Sequence, residues 1–217
     1  MHFDKKSRSF FVVDIEKLPH LLYNRSGEKG VNVMAELYLR RKIDRFLQLW
    51  KEDADRKPLI VKGPRQVGKT ESLLRFAKAN YQSVIYINFV EEPKYKMILE
   101  DGYSAEDIIK NISRIDPSKR FETGNTVLFF DEIQVFSQIA TSLKFFKIDG
   151  RFDVICSGSL LGINYRQIES NSVGYKTDYT MSSLDFEEFL WAKGYGEDTV
   201  QDMLRHMESF QPFNQLE

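Results

Sequence analysis

Gly63-Pro64-Arg65-Gln66-Val67-Gly68-Lys69-Thr70 is the stretch on which the reading of the fold turns. It fits G-x-x-x-x-G-K-[ST] at every defined position. Each residue type has a physical reason. Gly63 and Gly68 let the backbone curl until successive N–H groups point inward, a concavity suited to phosphate oxygens. Lys69 places a compact positive charge at its rim, and the Thr70 hydroxyl is set to ligate Mg2+. The apolar run 58–61 leads into the loop, and a helix expected over 70–80 leaves it, carrying Leu73, Leu74, Phe76 and Ala77. That helix turns its N-terminal dipole toward the same anion. Strand, glycine turn and helix in this order are the context that distinguishes a phosphate loop from a chance string with a solvated lysine.

Outward from the loop, strand and helix patterns alternate. Residues 83–90 are rich in Val, Ile, Tyr and Phe and predict a second strand. Ser104, with Asp107 three residues on, predicts a capped helix over 104–115, ended by Pro117. Residues 126–130 form an entirely apolar third strand, as expected where both faces are covered. A helix over 135–148, a strand over 152–156, a short strand over 179–181 and helices over 183–193 and 197–210 complete the pattern. Upstream, Leu37, Ile43, Phe46, Leu47 and Trp50 recur at helical spacing and predict a helix over 34–51. Residues 9–15 suit a short strand, 24–30 a turn, and 1–33 together an N-terminal extension. Alternation of this kind implies crossover connections and a parallel sheet. The resulting division is an extension over 1–33, an α/β core over 34–182 and C-terminal helices over 183–217.

The third strand runs into two acids, Val127-Leu128-Phe129-Phe130-Asp131-Glu132. The apolar run is buried and delivers Asp131 at the C-terminal edge of the sheet, where open parallel sheets bind ligands. Asp131 is thereby a metal-binding candidate alongside Thr70, and Glu132 a candidate to polarise an attacking water. A strand end capped by two solvated acids is the plainer alternative.

Composition excludes several classes. The 217 residues carry 31 Lys and Arg against 32 Asp and Glu, a formal net charge of -1, which argues against coating nucleic acid by bulk charge. Hydrophobic residues make up 42% of the chain, enough for a sizeable core and too many for a disordered chain. A single cysteine, Cys156, cannot form an internal disulfide or a cysteine-based zinc site, and His2, His20 and His206 are scattered. Residues 1–14 lack a signal-peptide pattern, and no run is long and apolar enough to span a bilayer. The expected compartment is the reducing cytoplasm. Arg56, Lys57, Lys62 and Arg65 cluster before Lys69, either as a positive rim around a phosphate site or as a contact for nucleic acid.

GPRQVGKT, INFVEEP, VLFFDEIQ, ICSGSLLGI and SSLDFEEFLWAKG, taken together over about 37–195, resemble predicted bacterial and archaeal ATPases of the AAA+ superfamily with an uncharacterised C-terminal domain. The resemblance implies a three-layer α/β/α P-loop NTPase sandwich with a five-stranded parallel sheet in the order 5-1-4-3-2. It implies ATP and Mg2+ as cofactors, and no string for guanine of the form N-K-x-D is present. The nucleotide-binding set would be Gly63, Pro64, Arg65, Gln66, Val67, Gly68, Lys69, Thr70 and Glu71, the Walker A region. Thr70 and the Walker B residue Asp131 would hold the metal. Glu132 and Lys69 would be catalytic, with Asn88 restraining Glu132 and Ser157 sensing the terminal phosphate. Asn88 also fits a strand-end turn, and Ser157 a turn in a Ser-Gly-Ser loop. Arg151 and Arg166 are candidates for an arginine supplied to a neighbouring subunit. Relatives are longer, with a nuclease-like C-terminal domain. The chain is thus expected to be a fragment or a truncated gene product, with a homo-oligomer and DNA, contacted through that further domain, as candidate partners and no membrane partner.

Three functions compete on this sequence. The first is an ATPase that couples hydrolysis to conformational change. The second is a nucleotide-binding interaction module with little hydrolysis, and the third a small-molecule kinase. Glu132 favours the first over the third, because a kinase needs an acceptor base more than a water-activating glutamate. The helix with Leu184, Phe186, Phe189 and Leu190 opposite Asp185, Glu187 and Glu188 is amphipathic, for packing on the sheet or for a partner.

Overall fold

The computed structural model describes residues 38–159 and 174–209. The extension 1–33, the first residues of the helix expected from 34, and Arg166 lie outside the described residues. The chain divides into two compact units, one of residues 41–185 and one joining 1–40 with 186–217.

The larger unit is built on five parallel strands, β1 (Leu59–Gly63), β2 (Ser83–Asn88), β3 (Thr126–Asp131), β4 (Asp153–Ser159) and β5 (Thr177–Thr180). Their order is β2-β3-β4-β1-β5, which is the expected 5-1-4-3-2 read from the other edge. Every residue of the interior strand β3 is buried, whereas β5 at the edge has no buried residue. Alternation of side chains along each strand separates two cores. Val127 and Phe129 join Leu59, Val61 and Ile155 beneath α1 (Lys42–Glu52) and α2 (Lys69–Asn80). Leu128 and Phe130 join Ile60, Ile87 and Val154 beneath α3 (Ala105–Ile115) and α4 (Ile139–Asp149). This is a three-layer α/β/α P-loop NTPase sandwich.

Helix α3 begins as the sequence predicts: the Ser104 hydroxyl accepts from the Asp107 N–H at 3.1 Å. Elsewhere the boundaries move for local reasons. The helix expected over 34–51 starts at Lys42, and residues 38–41 are not helical. Arg41 is extended, its N–H donating to the Asp44 carboxylate at 2.9 Å. Strand β2 stops at Asn88 rather than 90, because the Asn88 side-chain oxygen accepts from Val90 N at 2.9 Å and Glu91 N at 3.2 Å and turns the chain. The helix expected from 135 starts at Ile139, after a 3-10 turn over Ile133–Val135. Strand β4 runs to Ser159, so Ser157 lies within a strand and not in a loop after it. A 3-10 helix over Pro93–Leu99 went unread in the sequence.

In the smaller unit, α5 (Phe186–Ala192) and α6 (Glu197–Ser209) are joined through Gly194, whose N–H donates to Trp191 O at 2.9 Å. Glu187 accepts from Gln201 at 2.7 Å. Glu188 and Leu190 are buried while Phe186 and Phe189 are exposed. This departs from the apolar-in, acid-out division that spacing predicts.

At the N-terminal edge of the sheet, Asp153 gathers four donors. Arg56 Nε and Tyr81 OH each lie 2.7 Å away, the second Arg56 nitrogen 3.0 Å and Lys51 Nζ 3.1 Å. The group links α1, the end of α2 and β4. Burial alone would raise the Asp153 carboxyl. The hydrogen bonds from Arg56 and Tyr81 and the charges of Arg56 and Lys51 outweigh it and hold the group below the ordinary 3.8. A depressed folded-state value stabilises above the unfolded value and is lost as pH falls through the folded one. Asp153→Asn should therefore cost about 3 kcal/mol at neutral pH, as for a broken buried ion pair. The deficit relative to wild type should shrink below about pH 4, measured by urea unfolding from pH 7 to pH 3.

Candidate functional site

The loop 63–70 leaves β1 and enters α2 at Gly68, which is left-handed with φ 90°. Gly63 is required by a close approach: a Cβ there would lie 2.0 Å from the Met181 carbonyl oxygen. Met181 N–H in turn donates to Lys62 O at 2.7 Å, so the chain after β5 packs directly against the loop. Pro64, Arg65, Gln66 and Glu71 are exposed, whereas Val67 is buried. Lys69 is 8% exposed. Its ammonium donates to Gly63 O at 3.0 Å and Pro64 O at 2.7 Å, folding back over its own loop. Burial lowers its pKa, with the Glu132 and Asp131 charges opposing that shift.

Asp131 arrives at the C-terminal end of β3, beside this loop, and is 2% exposed. The Thr70 hydroxyl donates to its Oδ2 at 2.8 Å. Tyr86 OH donates to the same oxygen at 3.1 Å. Ser157 Oγ and the Glu132 N–H donate to Oδ1, the latter at 2.8 Å. Burial pushes the Tyr86 hydroxyl up to about 12, which keeps it a donor at neutral pH. Glu132 adopts the left-handed conformation, φ 58° and ψ 40°. One of its carboxylate oxygens accepts from Gln134 Nε2.

The structure therefore gathers Lys69, Thr70, Asp131, Glu132 and Ser157 at one sheet edge. Ser157 is fully buried, with its hydroxyl on Asp131. Asn88 ends the neighbouring strand in register with Asp131, but its side chain bonds the turn 90–91 and approaches Tyr86 OH at 3.5 Å. Arg151 lies at the opposite edge, before β4, held by Asp149 at 2.9 Å and Glu106 at 2.8 Å. Arg56 sits at that far edge too, on Asp153. The basic cluster that is continuous in sequence is thus divided between the two ends of β1.

Two residues escaped sequence reasoning. Tyr86 stands two positions before Asn88 on the same strand face, and a phenol within an apolar strand that leads to the site was the available signal. Arg41 is 8% exposed and donates to Val67 O at 2.8 Å and Ser182 O at 2.7 Å, strapping the loop to the chain after β5. A helix-start arginine carries no such signal in sequence. Cys156 is fully buried and burial raises its thiol pKa, which suits an apolar packing residue.

Two oxygens, Thr70 Oγ1 and Asp131 Oδ2, point at one another across the site. Hard oxygen donors in so small a number fit Mg2+, which keeps waters and substrate phosphates as its remaining ligands. Among the described residues no group of three or more His, Cys, Asp or Glu side chains could hold a metal, so a dedicated all-protein cage is not formed there. No helix among the described residues is long and apolar enough to cross a membrane.

The solved structures similar to this chain include the following three. A RuvB variant from Thermotoga maritima has 18% identity and a TM-score of 0.39, over 74% of this chain and 50% of that one. C. elegans PCH-2 has 12% identity and a TM-score of 0.37, over 75% and 45%. Drosophila ORC bound to DNA has 13% identity and a TM-score of 0.46, over 76% and 48%. The chain spans about half the length of each. No curated protein sequence matches it. A family model described as AAA domain matches residues 55–190, which takes in the phosphate loop, both acids and all five strands. With more than half of its length matched by that model, the chain belongs to the AAA domain family.

Proposed function

We propose that this domain binds ATP with Mg2+ and hydrolyses it, coupling the reaction to a conformational change. The observation that carries the reading is the 2.8 Å hydrogen bond between Thr70 and Asp131, which brings the phosphate loop and the acidic strand end to one point. The backbone amides of 65–70 and the Lys69 ammonium would hold the phosphates, and Thr70 and Asp131 the metal. Bound there, Mg2+ would neutralise charge on the phosphate oxygens. Glu132 would orient a water and accept its proton as the oxygen attacks the terminal phosphorus and the bond to the ADP oxygen breaks. Tyr86 and Ser157 keep Asp131 fixed. Lys69 must exchange its two loop carbonyls for phosphate oxygens, and that exchange supplies a local difference between the empty and loaded loop.

The second reading, a nucleotide-binding module with little hydrolysis, has one observation in its favour. Arg151 is held by Asp149 and Glu106 at the edge far from Asp131, so it does not reach the site of its own chain. Homo-oligomer formation, DNA as a partner and a cytoplasmic location rest on the sequence and its resemblance. So do the proposed sensing role of Ser157 and the restraining role of Asn88.

Saturating Mg-ATP should raise the melting temperature of the chain, since a ligand at about 100 times its Kd stabilises by roughly 2.7 kcal/mol. Lys69→Ala should abolish the shift; a full shift in that variant would place the nucleotide elsewhere. Glu132→Gln should leave the ATP-induced shift intact and lower steady-state phosphate release by about 100-fold or more. Equal release by both proteins would remove Glu132 from the chemistry and favour the binding module.

A further inference from the structure

Gln134 lies two residues past Glu132, inside the 3-10 turn over Ile133–Val135. Its side-chain amide has both ends engaged. Nε2 donates to the Glu132 carboxylate, and Oε1 accepts from the backbone N–H of Ser159 at 3.1 Å. Ser159 ends β4 and stands in register with Gly63, the first residue of the phosphate loop. A continuous path therefore runs from the Glu132 carboxylate through one amide to the strand position paired with that loop. Space is reserved for it: a Cβ at Gly158 would fall 2.7 Å from Gln134 Oε1 and 3.2 Å from Ile133 Cγ1. Asn88, the residue expected to hold Glu132, spends its side chain on the turn at 90–91 and near Tyr86.

We infer that Gln134 is a positioning residue, whose side-chain amide fixes the Glu132 carboxylate relative to the phosphate loop through the end of β4. The inference rests on the reading of Glu132 as proton acceptor. Glu132 departs from a left-handed backbone just past the end of β3, so strand alternation does not set the direction of its side chain. A flexible glutamate samples many rotamers, and an anchored amide donor selects among them. Misplacement of a catalytic group by about 1 Å can cost on the order of 100-fold.

Three substitutions in the full chain separate the two ends of the bridge. Gln134→Ala removes both. Gln134→Glu keeps an oxygen for Ser159 and sets a carboxylate against Glu132. Gly158→Ala removes no polar group and displaces the amide oxygen. Two readouts apply: ATP turnover, and hydrogen exchange of the Ser159 amide followed by 1H–15N spectra. Gln134→Ala and Gly158→Ala should each lower kcat by about 10-fold or more with KM unchanged, and speed Ser159 exchange by about 10-fold. Gln134→Glu should lower kcat as far while Ser159 exchange stays within about 2-fold of wild type. Glu132→Ala, which does not touch Ser159, should also speed its exchange, because Gln134 loses its second anchor.

Wild-type or raised kcat in Gln134→Glu overturns the positioning role, as does a loss confined to KM. Ser159 exchange that ignores both Gln134→Ala and Glu132→Ala overturns the bridge, whatever the turnover. A wild-type chain with no turnover whose Ser159 amide still responds to Glu132→Ala overturns the hydrolytic reading instead and leaves the bridge standing. Gly158→Ala and Gln134→Glu retain polar groups near the bridge, so the outcome does not depend on Gln134→Ala folding.

Discussion

A carboxylate that is 2% exposed needs hydrogen-bond partners in place of water, and Asp131 has four donors. They come from the helix after the phosphate loop, from β2, from β4 and from the backbone N–H of Glu132. The arrangement of the sheet follows the same need, because β3 lies between β2 and β4 and its terminal acid is reached from both sides. Thr70 enters from the helix layer, closing the ring. Removing any one donor leaves a buried acceptor partly unmet, so loop and strand edge are energetically one object.

The cationic side of the site is satisfied in another way. Lys69 is nearly buried, and without a phosphate it would be a desolvated ammonium. The Gly63 and Pro64 carbonyls supply its partners. Under the proposed function, nucleotide would compete with these internal partners and not with bulk water, in a loop already held in shape. Arg41 contributes to the same pre-organisation through Val67 O and Ser182 O, as does the Met181 carbonyl packed on Gly63.

Sequence disclosed the elements whose signals are local. The glycines and lysine of the loop, the apolar run ending in Asp131 and the Ser104 cap each depend on neighbours a few residues away, and they stand where spacing predicts. What it missed depends on contacts distant in sequence. Arg41 ends the non-helical stretch because its guanidinium is claimed by residues 26 and 141 positions away. Ser157 reads as a loop residue by its Ser-Gly-Ser composition, yet the ladder with β1 extends β4 through it. Arg56 and Arg65, grouped by charge, are parted because a strand's length separates them and Asp153 captures the first. The exposed Phe186 and Phe189 run against the apolar-in division expected of that helix.

In an undisturbed strand, neighbouring side chains leave by opposite faces. Val127 and Phe129 serve the layer of α1 and α2, Leu128 and Phe130 that of α3 and α4, so a sixth and seventh regular residue would send two successive acids to different layers. The left-handed step at Glu132 breaks that parity and costs roughly 1 kcal/mol for a residue with a Cβ. Adjacent acids can thus both act on the Lys69 ammonium without an intervening spacer, although one is buried and the other is not.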